Sequence, residues 1–242
     1  MARPVEPAGG HLLLSLDTRE VGRVTVVRCQ GRIVAGKESE SLRSHISGLL
    51  QERRSILLHL GDVGFVDSSG LGTMVRAHAS TRQVRGDLKL CNVPEHLRKV
   101  LEMTRLTSVF DLHESEEKAL AAFYRPVSST EVTAARGPSI LCLDSNLDVL
   151  AYLREFLRRA GYEVQTTDRI SDATLLMKVT HVDLLLLGPD KVASAASPQA
   201  FQNACAKVPV VELGNDFSTC HAGEAGSALL ATIDRRLNAK LS

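Results

Sequence analysis

The apolar positions of this chain keep changing period. Runs of about four to eight residues that alternate or stay apolar mark strands, and apolar residues returning every three or four positions mark helices. Over 11–33, "HLLLSLDTREVGRVTVVRCQGRI" predicts two strands around a turn at Arg19 to Gly22. A helix follows from Glu38, with Leu42, Ile46, Leu49 and Leu50 at helical spacing. "SILLHLGDVGFVD" predicts a buried strand. The next helix runs from Ser69 to about Arg85, with Leu71, Val75, His78 and Ala79 on one face and Gly86 as its stop. "DLKLCNV", a helix opening near Pro94, "SVFDLHE" and the helical "SEEKALAAFY" complete the first half.

Arg125 to Ser139 is rich in Ser, Thr, Ala and Pro and has no period, which predicts a linker. Beyond it the alternation restarts. "SILCLD" is a strand, and Leu147, Leu150, Leu153 and Leu157 mark a helix closed by Gly161. "YEVQTTD", "ISDATLLMKVT", "VDLLLLG", "SPQAFQNACAK", "VPVVELG" and "SALLATIDRRLNAKL" continue as strand, helix, strand, helix, strand and helix. Strands alternating with helices require crossover connections and covered sheets. The expectation is therefore two α/β domains: a tail over 1–10, a first domain over 11–124, a linker over 125–138 and a second domain over 139–242.

Composition narrows the functions. Of the 242 residues 44% are apolar and 24% charged, which fits a folded chain rather than a disordered one. A net charge of +1 offers no basic field for nucleic acid, and 4% aromatics without Trp offer few stacking platforms. The longest strongly apolar run, Leu184 to Leu187, is too short to span a bilayer, and "MARPVEPAGG" lacks the apolar core of a signal peptide. Cys29, Cys91, Cys142, Cys205 and Cys220 are odd in number, widely spaced and without a CxxC. Reduced thiols in a cytoplasmic protein, seated in strands or cores, are the expectation.

The candidate chemistry gathers at "GFVDSSGLGT", Gly64 to Thr73, where a strand hands over to a helix. A nucleophile elbow needs Gly two residues before and after its serine. Ser68 has Val66 before it, and Ser69 lies between Asp67 and Leu71, so a hydrolase is not indicated. "GRIVAGKE", Gly31 to Glu38, matches a phosphate-binding loop as far as Lys37, but Glu38 replaces the magnesium-binding hydroxyl. What remains is a helix cap, for which Asp67 and Ser68 are suited, or a switch. A phosphate on Ser68 would sit at the positive end of a helix and add about −1.5 to −2 charges. A partner packing over that helix start would meet both charge and bulk.

"LLHLGDVGFVDSSGLGTMV" closely resembles the core signature of STAS domains, the anti-sigma-factor antagonists, and the agreement extends over 11–124. The resemblance implies a mixed sheet with helices and a soluble bacterial regulator of transcription. It also implies phosphorylation of the first serine after the aspartate, Ser68 here, with Ser69 as fallback. The unphosphorylated form would bind an anti-sigma factor that has serine-kinase activity. Asp67, Gly70 and Gly72 would shape the site. Thr73, Arg76, Ser80 and Arg82, expected on the exposed side of the helix, would contribute to the partner surface. Where many antagonists carry Gly-Glu-Leu-Asp, this chain reads Gly31, Arg32, Ile33, Val34.

"SILCLDSNLDVLAYLREFLRRAGYEV" and "VDLLLLGPD" resemble a response-regulator receiver domain, which implies a flavodoxin-like parallel sheet with helices on both faces. Its acidic pair reads Asp144 with Ser145, its phospho-acceptor position falls on Gly188, and its hydroxyl position falls on Gly214. A divalent site needs more than one carboxylate, so Asp144 reads as a helix cap or remnant. Asp190 lies two residues past the strand end, too far along to replace the acceptor. This half is expected to act through its surface, by self-association, docking a partner or covering the first domain. No enzyme activity, cofactor, metal, nucleic acid or membrane is expected. The alternative to a switch is a STAS scaffold in a signalling complex that works without phosphorylation.

Overall fold

The computed structural model describes residues 13–124, 137–195, 199–214 and 222–238. The expected tail, most of the expected linker and Cys220 lie outside the described residues. The chain divides into two compact units, one built mainly of residues up to Phe123 and the other of Tyr124 onward together with Glu20–Arg23.

In the first unit β1 (Ser15–Val21), β2 (Val24–Ile33), β3 (Ser55–Val66), β4 (Asp87–Cys91) and β5 (Asp111–His113) lie side by side in chain order. The turn folding β1 back on β2 is Gly22–Arg23, later than expected, because Gly22 supplies the positive φ of 61° that the turn needs. From β2 onward the strands are parallel. The crossovers run through α1 (Lys37–Leu49), α2 (Ser68–Gln83) and α3 (Glu95–Met103), and α4 (Glu116–Tyr124) follows β5. Ile46, Met74 and Leu97 from the three crossover helices share one core with Ile33, Leu58 and Leu90. Fully burying a side chain of this kind is worth about 1.5–3 kcal/mol, so the core fixes where β3 ends and α2 begins.

The buried stripe of α2 differs from the expected one. It is Gly70, Leu71, Thr73, Met74, Ala77 and Thr81, while Ala79 is exposed. Two threonines enter the core because each donates its hydroxyl to the preceding turn, Thr73 to Ser69 O at 3.0 Å and Thr81 to Ala77 O at 2.8 Å. A hydroxyl satisfied in this way behaves as apolar, which a hydropathy pattern cannot register. The helix ends through Arg85, at φ 56°, with Gly86 N donating to Thr81 O. Gly86 is needed for space: a Cβ there would lie 2.4 Å from Arg54 O.

The second unit holds four parallel strands, β6 (Ser139–Leu143), β7 (Glu163–Thr167), β8 (Leu184–Leu187) and β9 (Val210–Glu212). Their order is β7-β6-β8-β9, the first four places of the flavodoxin-like order. On one face α5 (Leu147–Arg159) and α9 (Ala222–Asn238) pack Leu153 and Ile233 against Ile140 and Leu186. Leu141 and Leu185 point to the opposite face and are buried there, as are Leu176 of α6 (Ile170–Val179) and Phe201 of α8 (Gln199–Cys205). Helices thus cover both faces. One short helix, α7 (Pro189–Ala195), was not expected; Pro189 at its first position pre-sets the helical φ. Leu147, in register with the buried leucines of α5, is 68% exposed.

Cys29, Cys91 and Cys142 are free and buried in strands, and burial pushes each thiol up to about 12. Among the described residues no helix is long and apolar enough to cross a membrane, and no three His, Cys, Asp or Glu side chains cluster as metal ligands.

Candidate functional site

The site is built where β2 and β3 end together. Ile33 pairs with Val66, and one residue on Asp67 N donates to Ile33 O at 3.2 Å. Asp67 then caps α2. Its Oδ1 accepts from Gly70 N at 2.7 Å and its Oδ2 from Ala35 N at 2.9 Å. One carboxylate therefore ties the start of α2 to the loop before α1. From the other side Ser39 holds the same loop, donating Oγ to Val34 O at 2.7 Å. The amide donors of Gly70 and then Ala35 hold the Asp67 carboxyl below its ordinary value of 3.8.

Because Asp67 supplies the cap, Ser68 is left over. It is the first residue of α2, exposed, and its hydroxyl has no hydrogen-bond partner among the described residues. Ser69 is half-buried, and its carbonyl is taken by Thr73. Gly70 is where helix and strand touch: a Cβ there would lie 2.1 Å from Ile33 O. Gly72 has no such constraint, since a Cβ would come only within 3.5 Å of Arg76. Its expected part in shaping the site therefore has no steric basis. The loop that matched a phosphate cradle spends the Ala35 amide on a carboxylate.

A family model of the STAS domain matches residues 15–119. The proposed anti-sigma factor antagonist BtrV of Bordetella bronchiseptica is 30% identical over 99 residues, 40% of this chain and 85% of that protein. The chain belongs to the STAS-domain family. The anti-sigma-B factor antagonist of Bacillus subtilis is 30% identical over 76 residues, covering 31% of this chain and 70% of that one. Among solved structures, the Bacillus cell fate determinant SpoIIAA in the phosphorylated form aligns at 24% identity with a TM-score of 0.38. That alignment covers 45% of this chain and 99% of that chain.

The STAS unit presents the other expected surface residues unequally. Arg76 and Arg82 are exposed and Ser80 is half-buried. Thr73, at 1% exposure, is in the core instead of on the surface; its Oγ1 accepts from Arg76 at 3.0 Å as well as donating to Ser69 O. Sequence reasoning missed Phe65, which is 47% exposed with the Arg32 guanidinium 5.1 Å from its ring centroid. Strict alternation back from buried Val66 would have turned Phe65 away from the core.

Asp67 carries a measurable prediction. Replacing it with Ala should cost about 0.5–2 kcal/mol, as loss of an N-cap does, read as a lower urea midpoint. Its depressed acidity also sets a pH dependence. The stabilisation is complete above the ordinary value of 3.8 and is lost as pH falls through the lower folded value. The Ala variant should therefore lose less stability than the unsubstituted protein across that acid range.

In the second unit, of the four positions that the receiver resemblance singled out, Asp144 and Gly188 lie together and Ser145 and Gly214 are exposed. Asp144 is buried, and its Oδ1 accepts from Asn146 N at 2.7 Å. The cap of α5 is Asn146, not Asp144: its side chain accepts from Asp148 N and Val149 N. A Cβ on Gly188 would lie 2.1 Å from Asp144 Oδ2, so the Asp144 carboxylate fills the space an acceptor side chain would take. Ser145, Asp190 and Gly214 are exposed, and a Cβ on Gly214 would meet nothing within 4 Å.

Proposed function

We propose that this chain is an anti-sigma factor antagonist that works by partner switching at Ser68. The observation that carries this reading is the division of labour at the start of α2. Asp67 does the capping, and the neighbouring Ser68 hydroxyl is left exposed and unbonded. A serine kept for capping would have its oxygen on an amide, as Asp67 does. The relatives named as anti-sigma factor antagonists support the choice of partner.

Unmodified, the start of α2 binds an anti-sigma factor with serine-kinase activity, leaving the sigma factor free. In the kinase reaction the γ-phosphoryl group of ATP moves to Ser68 Oγ. The new O–P bond forms as the bond to ADP breaks, and the hydroxyl proton passes to a base on the kinase. The product places a doubly charged group in the contact, where desolvating it is costly. The STAS unit is then a kinase substrate and binding module rather than an enzyme, and the receiver-like unit acts through its surface without aspartyl phosphorylation.

Tagged Ser68→Ala and Ser68→Glu chains, expressed in the native cell, test the reading. The Ala form should retain a kinase-fold partner that the Glu form loses by at least about tenfold, since a misplaced charge at an interface costs several kcal/mol. Equal retention by both forms would favour a scaffold indifferent to phosphate.

A further inference from the structure

Near the C-terminal ends of β2 and β3, just before the junction that presents Ser68, Arg32 and Phe65 are register partners on adjacent parallel strands. Their side chains lie together, with the guanidinium carbon 5.1 Å from the ring centroid. Arg32 has no ion pair among the described residues, and Phe65 is the most exposed aromatic ring of the STAS core strands at 47%. A half-exposed cation resting on a ring is held less tightly than one in a charge-assisted bond to a phosphate. Arg32 is thus weakly held and free to be drawn elsewhere.

The next residue of β2, Ile33, bonds Asp67 N through its carbonyl, which puts the Arg32 backbone one residue from the strand-to-helix junction that presents Ser68. Its charge already acts at that junction: after the amides of Gly70, Ala35 and Ser69, Arg32 is the last of the groups that lower the Asp67 carboxyl. Of the cations on the two helices that start here, Lys37 is exposed at the start of α1, and the Arg76 guanidinium of α2 is bonded to Thr73.

We propose that Arg32 reads the state of Ser68, resting on Phe65 while the serine is unmodified and moving onto the phosphate when it is present. The inference rests on Ser68 as the switch residue. One modification then changes two features of the partner surface, because the phosphate also withdraws the cation that covered Phe65. The arginine planar fork suits both postures, stacked on a ring or paired with phosphate oxygens.

The test is phosphorus and proton NMR on the full chain with phosphoserine inserted at position 68 during translation, in unsubstituted, R32Q and K37Q forms. The second phosphate pKa, ordinarily about 6, should lie at least about half a unit lower in the unsubstituted chain than in R32Q. K37Q should stay close to the unsubstituted chain. The Phe65 ring protons should move between the unmodified and phosphorylated unsubstituted chains. Equal phosphate pKa values in the unsubstituted and R32Q chains, a drop abolished by K37Q instead, or an unmoved ring would overturn the proposal. The phosphate is installed without a kinase, so failure here leaves the proposed function standing, and an unphosphorylated Ser68 in cells leaves this result unaffected.

Discussion

Replacing Gly70 with alanine is expected to destabilise the STAS unit by about 3 kcal/mol, the upper end of the usual cost of overpacking. The added Cβ would fall 2.1 Å from Ile33 O and 2.9 Å from Ile33 C. Both are backbone atoms of a strand paired along its length with β3, so neither can give way as a flexible side chain could. The helix start must lift off, breaking the bond from Gly70 N to Asp67 and with it the link to Ala35. The same change at Gly72, where the nearest foreign atom would be 3.5 Å away, should be neutral or stabilising by up to about 1 kcal/mol, the helix preference of Ala over Gly. Urea unfolding of the two variants checks this. Comparable losses at both positions would mean that Gly70 is an ordinary helical glycine.

The second large effect is expected in the other unit. Placing an aspartate at the position where the receiver resemblance would put an acceptor, Gly188→Asp, should destabilise that unit by about 3 kcal/mol or more, because overpacking and like charge act together. The new Cβ would meet Asp144 Oδ2 at 2.1 Å, and moving Asp144 breaks its bond to Asn146 N. The new carboxylate would then face the old one in a buried site. Gly214→Ser, by contrast, adds a side chain into open space and should leave the melting curve unchanged. A fully stable Gly188→Asp chain would show that Asp144 is not fixed in the acceptor space.

The fold was readable wherever local period and punctuation agreed. The apolar β3, Leu150, Leu153 and Leu157 of α5, and Gly161 at φ 94° followed from spacing and punctuation, while Leu147 at the same spacing is exposed. The misreadings have physical causes. Thr73 reads as polar and sits in the core because its hydroxyl is satisfied by its own helix. Asp144 has the residue type and place of a cap, yet Asn146, two residues on, takes that role. Asp67's cap bond to Gly70 is local, but its second bond, from Ala35 N, comes from another segment and is in no local pattern. Arg32 stood out in the sequence only as a departure from a familiar motif. Its position on Phe65 comes from strand register, a tertiary fact.

The central claim is that Ser68 is a phosphorylated switch, and intact and peptide mass spectrometry of the protein from its own cells tests it most directly. The account predicts one phosphate on the peptide spanning Ser68, changing in occupancy between growth and stress and absent from a Ser68→Ala chain. Phosphate confined to Ser69 or another residue, or a Ser68 unmodified under every condition, would contradict it.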